Sequence, residues 1–334
     1  MPVPRLTDSC QICIPSTKLP LRSHMTSSIE EHPTSRSLLR RLNWLCAIVH
    51  LTLTVVTLSS GSPDLKVVLF EVEIGLNPAI EAYFNATAQN VTPPTGMGLD
   101  VQSFLLPRIV ESVSIPITLL CAMFPALSFF FHLGHGLLWR ERYEEWVINM
   151  KAAPTRWLEY SMSASIMMFA LAPLSGLLVL SSMLNMAALV AITQIFGFLT
   201  ELVARPQGDR WSRPRSLILS THLFGWIPQL MAWYILVSPL VSVVSADDGG
   251  PPAFVFALIL AEFLLFTSFG FVQIVLYGWF DPRHYVYGEV AYQLLSLIAK
   301  TLLTVVLISQ VLIFERFECI YADVDPSVAV VANC

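Results

Sequence analysis

The sequence predicts an all-α membrane protein in which seven helices cross the bilayer as one bundle. Of its 334 residues, 55% are hydrophobic and only 13% are charged, which is far from the composition of an ordinary soluble domain. Seven segments are apolar over a length that can cross a hydrocarbon core of about 30 Å. Because lipid offers the backbone no hydrogen-bond partners, each crossing is expected to be helical.

The order of the spans defines three regions of the chain. Spans three and four are separated by only a few residues, but their joint length is too great for one crossing, so they count as two. We predict a disordered cytoplasmic tail at 1–38, which is polar, a seven-helix bundle at 39–314, and an acidic extracellular tail at 315–334. The predicted spans are 42–60, 109–138, 155–181, 184–204, 217–243, 253–279 and 285–314.

The loop after the first span contains the stretch LKVVLFEVEI, which is rich in β-branched residues and partly alternates in polarity. This pattern predicts a strand or β-hairpin lying over the outer face of the bundle, with an irregular cap as the alternative. The same loop contains two glycosylation motifs, which begin at Asn85 and Asn90. Both asparagines are candidates for glycosylation if the loop faces the outside.

The distribution of positive charge predicts the orientation in the membrane. Most of the 19 Lys and Arg residues lie in the N-terminal segment and in loops 2–3, 4–5 and 6–7, whereas the other side holds only Lys66, Arg108 and Arg316. By the positive-inside rule, the N-terminus is cytoplasmic and the C-terminus is extracellular or lumenal.

The last span carries a lysine, Lys300, near its midpoint. An ionisable side chain at this depth costs about 2.5–3.5 kcal/mol on insertion scales, so it needs a partner inside the bundle. Glu289, Gln293, Ser296 and Thr304 lie on the same helical face, which we therefore expect to point inward. One interpretation is a structural ion pair. The other is a covalent carbonyl cofactor, because a desolvated amine attacks aldehydes to form a Schiff base.

A protonated Schiff base needs a buried anion, and the third span offers one in the stretch PTRWLEYSMSASIMM. Glu159 lies one turn deeper than Arg156 and is the candidate counterion of Lys300. The alternative is that Arg156 and Glu159 pair with each other at the membrane interface.

At these residues the chain resembles the microbial rhodopsins, and more closely the heliorhodopsins, whose membrane orientation is inverted. The matching stretches are RRLNWLCAIVH, SFFFH, RWLEYSMSASIMM, QIFGFLTE, FGW and LLSLIAK, which together extend over residues 38–314. The resemblance implies that Lys300 binds retinal, all-trans in the dark, and that Glu159 is its counterion. It also implies a polar, proton-accepting cavity on the cytoplasmic side, formed by His50, His132 and Ser128 together with Arg156, Tyr160 and Ser296.

A retinal pocket is expected between the middle spans, where flat side chains can enclose a polyene. Tyr277 is a further aromatic candidate, although aromatic residues also fill ordinary helix interfaces. The predicted pocket residues are Ser163, Met167, Trp226, Trp233, Phe266 and Phe269.

The resemblance favours a light sensor that does not pump ions, because Ala170 and Ser296 stand where related pumps carry acidic groups. The runner-up is a light-gated proton channel, as in certain heliorhodopsins from viruses of algae. The candidates for its proton path are Glu262, Glu201 and Glu289. Glu262 lies well inside its span, and its alternative role is a hydrogen bond to a Ser, Thr or Gln of a neighbouring span. Glu201 and Glu289 lie near the cytoplasmic ends of their helices, where the alternative is that they are solvated.

The expected partners are membrane lipid, a second copy of the chain and a cytosolic or membrane signalling protein, with no role for nucleic acid. We find no nucleophile–base set, metal cluster or phosphate loop, so we do not expect an enzyme. Seven membrane helices are also compatible with a transporter or a hormone-type receptor that binds no retinal. Such a protein would not need Lys300 and Glu159 together.

Overall fold

The structure, a computed structural model, describes residues 32–62, 64–77, 80, 85, 88, 105–245 and 251–313. Residues 1–31 of the predicted N-terminal tail, the predicted C-terminal tail and the Asn90 glycosylation motif lie outside the described residues. Asn85 is described and is exposed. The first helix, α1 (His32–Ser60), begins inside the predicted tail, so the end of that tail is helical.

The predicted β-hairpin is confirmed. Strands β1 (Lys66–Leu76) and β2 (Leu105–Pro116) pair in antiparallel register, with a bulge at Leu69/Phe70. The prediction that the second span begins near residue 109 is wrong, because β2 occupies those residues. Its sequence, LLPRIVESVSIP, is rich in β-branched residues and includes two charges, and its final proline is extended, with φ −62° and ψ 119°.

Helix α2 (Ile117–Leu133) continues into a π-helical turn at Gly134–Leu138. The short helix α3 (Arg140–Glu145) and a second π-helical turn, Trp146–Met150, then lead to α4 (Pro154–Leu171). Helix α4 starts with proline in its first turn, a position where the missing N–H is not needed.

Helix α4 ends well before residue 181, where the third span was predicted to end. A 3₁₀ turn follows at Pro173–Ser175, and Gly176 has a left-handed φ of 84°. The extended chain after this turn is tied to the hairpin, since the backbone N–H of Phe70 donates to the carbonyl of Leu178 at 2.9 Å.

The second half of the bundle begins with α5 (Leu180–Ala204), followed by the short strands β3 (Pro206–Gln207) and β4 (Arg210–Trp211). The predicted fifth span consists of two helices, α6 (Arg215–Phe224) and α7 (Trp226–Ser245), which Gly225 separates. A side chain at residue 225 would lie 2.8 Å from Phe196, so glycine is needed for the close approach to α5. The last helices are α8 (Ala253–Trp279) and α9 (Tyr285–Val306), which continues as a π-helical turn at Leu307–Ile313.

The predicted fold class, a bundle of membrane helices with a β-hairpin after the first, is confirmed. Among the described residues, six helical segments are long and apolar enough to cross a membrane. The predicted third span is the exception, because the 18 residues of α4 include Arg156, Glu159 and several serines, which lower its hydropathy. Helix α4 nevertheless packs between α2 and α5, inside the bundle. Its low hydropathy therefore reflects an inward-facing polar surface.

Candidate functional site

A buried ion pair joins α4 to α9. Lys300 Nζ donates to Oε1 of Glu159 at 2.7 Å, and the two side chains are only 3% and 1% exposed. Two opposite charges in a medium of low polarity stabilise each other strongly, and either one alone would be destabilised there. The structure thus brings together the lysine and the acid that the sequence singled out, and it excludes the alternative in which Glu159 pairs with Arg156.

Polar and aromatic side chains surround this pair. The ring of Tyr160 lies 5.2 Å from Lys300 Nζ, close enough for a cation–π interaction, and its hydroxyl donates to the Tyr292 carbonyl at 3.0 Å. Ser163 and Ser296, one turn from Glu159 and Lys300 respectively, are also buried. The amine therefore sits between a carboxylate, an aromatic face and small hydroxyl groups.

A cavity lies against Lys300 between α4, α5, α6, α7, α8 and α9. Five of the six predicted pocket residues line it, namely Ser163, Met167, Trp226, Phe266 and Phe269. Trp233 does not line this cavity, because it packs edge-on against Phe263 and Phe266. Tyr277 lies elsewhere, against Trp211, with ring centroids 4.8 Å apart.

His50 and His132 form a stacked pair between α1 and α2, with ring centroids 5.5 Å apart and planes 12° from parallel. His50 Nδ1 donates to the Cys46 carbonyl at 2.7 Å, and His132 Nδ1 donates to Asn43 Oδ1 at 2.8 Å. In each ring Nε2 is buried and has no hydrogen-bond partner among the described residues. The hydroxyl of Ser128, one turn before His132, is also buried without a hydrogen-bond partner among the described residues.

Sequence reasoning missed Asn43, which fixes His132. Its amide nitrogen donates to the Leu39 carbonyl at 2.9 Å, which leaves its oxygen to accept from the imidazole. The signal was an asparagine two helical turns before His50 on the same span, a position consistent with the same face of α1.

Arg156 does not belong to the histidine group. It donates through Nη1 to Glu289 and through Nη2 to Glu201, and its guanidinium carbon lies 4.3 Å from the ring centre of Tyr292. We call Arg156, Glu201 and Glu289, with the two tyrosines described next, the arginine cluster. The cluster ties α4, α5 and α9 together.

The carboxylates of the arginine cluster are fully paired. The hydroxyl of Tyr143 donates to Glu289 at 2.8 Å, and that of Tyr285 donates to Glu201 at 2.8 Å. Burial raises the pKa of the Tyr143 phenol, so this group remains a donor. The alternative that Glu201 and Glu289 are solvated is wrong, since each is only 1% exposed.

Glu262 on α8 has no exposed surface, and neither of its carboxylate oxygens has a partner among the described residues. The alternative role of Glu262, a hydrogen bond to a hydroxyl or amide of a neighbouring span, is therefore not found among the described residues. Among the described residues, Glu262 makes no hydrogen bond to the Lys300–Glu159 pair or to the arginine cluster.

The comparison with known families agrees with this geometry. The sequence model of the heliorhodopsin family matches residues 39–312, a range that runs from α1 into the π-helical turn after α9 and includes both Glu159 and Lys300. No curated protein matches the chain significantly. The chain belongs to the heliorhodopsin family, whose members are retinal-binding, light-sensing membrane proteins.

Proposed function

We propose that this heliorhodopsin is a light sensor that binds all-trans retinal on Lys300 and reports light through a slow conformational cycle, without pumping ions or catalysing a reaction. The observation that carries the proposal is the buried ion pair between Lys300 and Glu159 beside a cavity lined with aromatic side chains. An amine and a carboxylate held together away from water can maintain a cationic imine at neutral pH.

The residues fit retinal. Trp226, Phe266 and Phe269 offer flat apolar faces to a polyene, and Lys300 lies in the wall of the same cavity. Retinal, joined through its aldehyde carbon to Lys300 Nζ with loss of water, supplies the absorption of visible light and a bond that isomerises.

The role of Glu159 is to hold the positive charge at Nζ in the dark. If Nζ moved away from Glu159, the ion pair would weaken and Nζ would hold its proton less tightly. The imidazoles of His50 and His132 offer a place to receive that proton, because neither Nε2 has a hydrogen-bond partner in the part of the chain that the structure describes.

We propose that the arginine cluster carries the signal along the bundle. It links α9, which bears Lys300, to α4 and α5 through Arg156, so a movement of α9 changes its contacts. With the N-terminus in the cytoplasm, as the charge distribution favours, this buried cluster lies toward the cytoplasmic side of the bundle, where a signalling partner can respond to a helix movement. A homodimer in the lipid bilayer is part of the proposal.

A light-gated proton channel is the second candidate, and Glu262 is the observation that favours it. A buried carboxylate without a partner can take up and release a proton within the membrane. Voltage clamp of membranes containing the protein separates the two functions. For a sensor we expect no photocurrent, whereas a photocurrent that reverses with the proton gradient and disappears in Glu262→Gln would establish the channel.

Replacing Glu159 by glutamine is expected to shift the visible band to longer wavelength. Loss of the carboxylate removes the anion that stabilises the positive charge at Nζ in the ground state, so the gap to the excited state narrows. The measurement is the absorption spectrum of the purified, retinal-loaded variant. Glu262→Gln, which removes a buried acid that does not contact Lys300, should leave the band near its wild-type position. An unshifted band in Glu159→Gln would remove Glu159 from the counterion role.

A further inference from the structure

We propose that the cavity beside Lys300 is built for a retinoid whose ring carries a hydroxyl group, and that Gln229 on α7 binds that hydroxyl. The inference rests on the proposed retinal-binding function and names the class of chromophore. It arises from a polar side chain in the cavity wall that finds no hydrogen-bond partner among the residues that the structure describes.

Gln229 lines the cavity and is only 7% exposed. Neither its amide nitrogen nor its amide oxygen has a hydrogen-bond partner among the described residues. Burying an amide without partners is unfavourable, because the group loses its hydrogen bonds to water and receives none in return. Such a group in the wall of a binding site indicates a ligand with a matching polar group.

The neighbouring polar side chains of the same wall do not supply that partner, because they are bonded to one another. Trp226 Nε1 donates to His222 Nε2 at 3.0 Å, and His222 Nδ1 donates to Gln273 Oε1 at 2.7 Å. The amide nitrogen of Gln273 then donates to the Gly197 carbonyl at 2.8 Å. None of these hydrogen bonds involves Gln229, so its amide remains free to bind a ligand.

Gln229 and Lys300 reach the cavity from different walls. Helix α7 packs mainly against α5 and α6, whereas α9 packs mainly against α1 and α8. A retinoid attached to Lys300 by its aldehyde end extends its ring away from α9, toward the other walls. The ring of retinal itself is a hydrocarbon and has no hydrogen-bond donor or acceptor for Gln229. A ring hydroxyl can donate to Oε1 and accept from Nε2 of the amide.

A competition experiment tests the inference. Full-length protein purified without retinoid is incubated with an excess of an equimolar mixture of all-trans retinal and all-trans 3-hydroxyretinal. After unbound retinoid is removed, hydroxylamine with light releases the chromophores, and chromatography gives their ratio. One neutral hydrogen bond corresponds to roughly fivefold enrichment of the hydroxylated form.

Two variants identify the residue responsible. In Gln229→Leu, which keeps a similar volume without the amide, the ratio of the two retinoids should fall to that of the mixture. Ser238→Ala is the matched control on the same helix, because the Ser238 hydroxyl already donates to the Ile235 carbonyl at 3.4 Å. This variant should keep the enrichment.

The outcomes separate this inference from the function on which it rests. Equal uptake of the two retinoids by the wild-type protein, with a visible band present, would overturn the inference and leave the photoreceptor intact. Enrichment that persists in Gln229→Leu would also overturn it. If neither retinoid gives a visible band, the proposed function fails, and the assignment of Gln229 fails with it.

Discussion

Replacing Lys300 by alanine is expected to abolish the visible absorption band of the retinal-loaded protein completely. The variant has no amine at the cavity, so retinal has no covalent attachment there and its absorption stays that of the free aldehyde. The change also leaves Glu159 buried, at 1% exposure, without its ion pair. An uncompensated buried charge destabilises a fold by about 3–5 kcal/mol. The measurements are the spectrum with added all-trans retinal and the free energy of unfolding.

A second variant separates loss of the chromophore from loss of the fold. In the double variant Lys300→Ala/Glu159→Gln no charge is left unpaired, so the free energy of unfolding should return toward that of the retinal-free wild type. The visible band should nevertheless stay absent. A band that reappears in this well-folded variant would show that another residue holds the chromophore.

Replacing Arg156 by methionine is expected to destabilise the protein by about 3–5 kcal/mol, because Glu201 and Glu289 then remain buried without their shared cation. Both carboxylates are only 1% exposed, and both receive donors from Arg156 in the wild type. Titration with a denaturing detergent in mixed micelles, followed by the loss of helical circular dichroism, measures the change.

The control for Arg156 removes all three charges. In Arg156→Met/Glu201→Gln/Glu289→Gln the hydroxyls of Tyr143 and Tyr285 still find acceptors in the amides, so most of the lost stability should return. If Arg156→Met alone is as stable as the wild type, the arginine cluster is not a structural link between α4, α5 and α9, and its part in signalling falls as well.

The ion pair could be predicted from the sequence because membrane burial makes every charge conspicuous. In a span of apolar residues, Lys300 stands out at once, and the position of Glu159 in the third span follows from helical periodicity and orientation. The hairpin was also predictable from the β-branched residues of β1. The second strand of the hairpin could not be predicted, because the residues of β2 are apolar enough to resemble the start of a membrane span.

The partners of Arg156 could not be predicted, because they depend on how helices rotate against one another. Glu201 and Glu289 lie near helix ends, where solvation is the simpler expectation, and only the packing of α4, α5 and α9 turns both inward. The same reason explains the wrong assignment of Trp233 to the pocket. Its aromatic side chain is of a type common in binding pockets, but it packs against Phe263 and Phe266. Side-chain direction within a bundle is a tertiary property.

The most direct measurement for the whole account is the location of the chromophore on the chain. The protein is loaded with all-trans retinal, treated with borohydride to reduce the imine to a stable amine, digested and analysed by mass spectrometry. We expect the retinyl group on Lys300 in a protein that was coloured before reduction. A colourless protein, or a retinyl group on Lys18, Lys66 or Lys151 instead, would contradict the account.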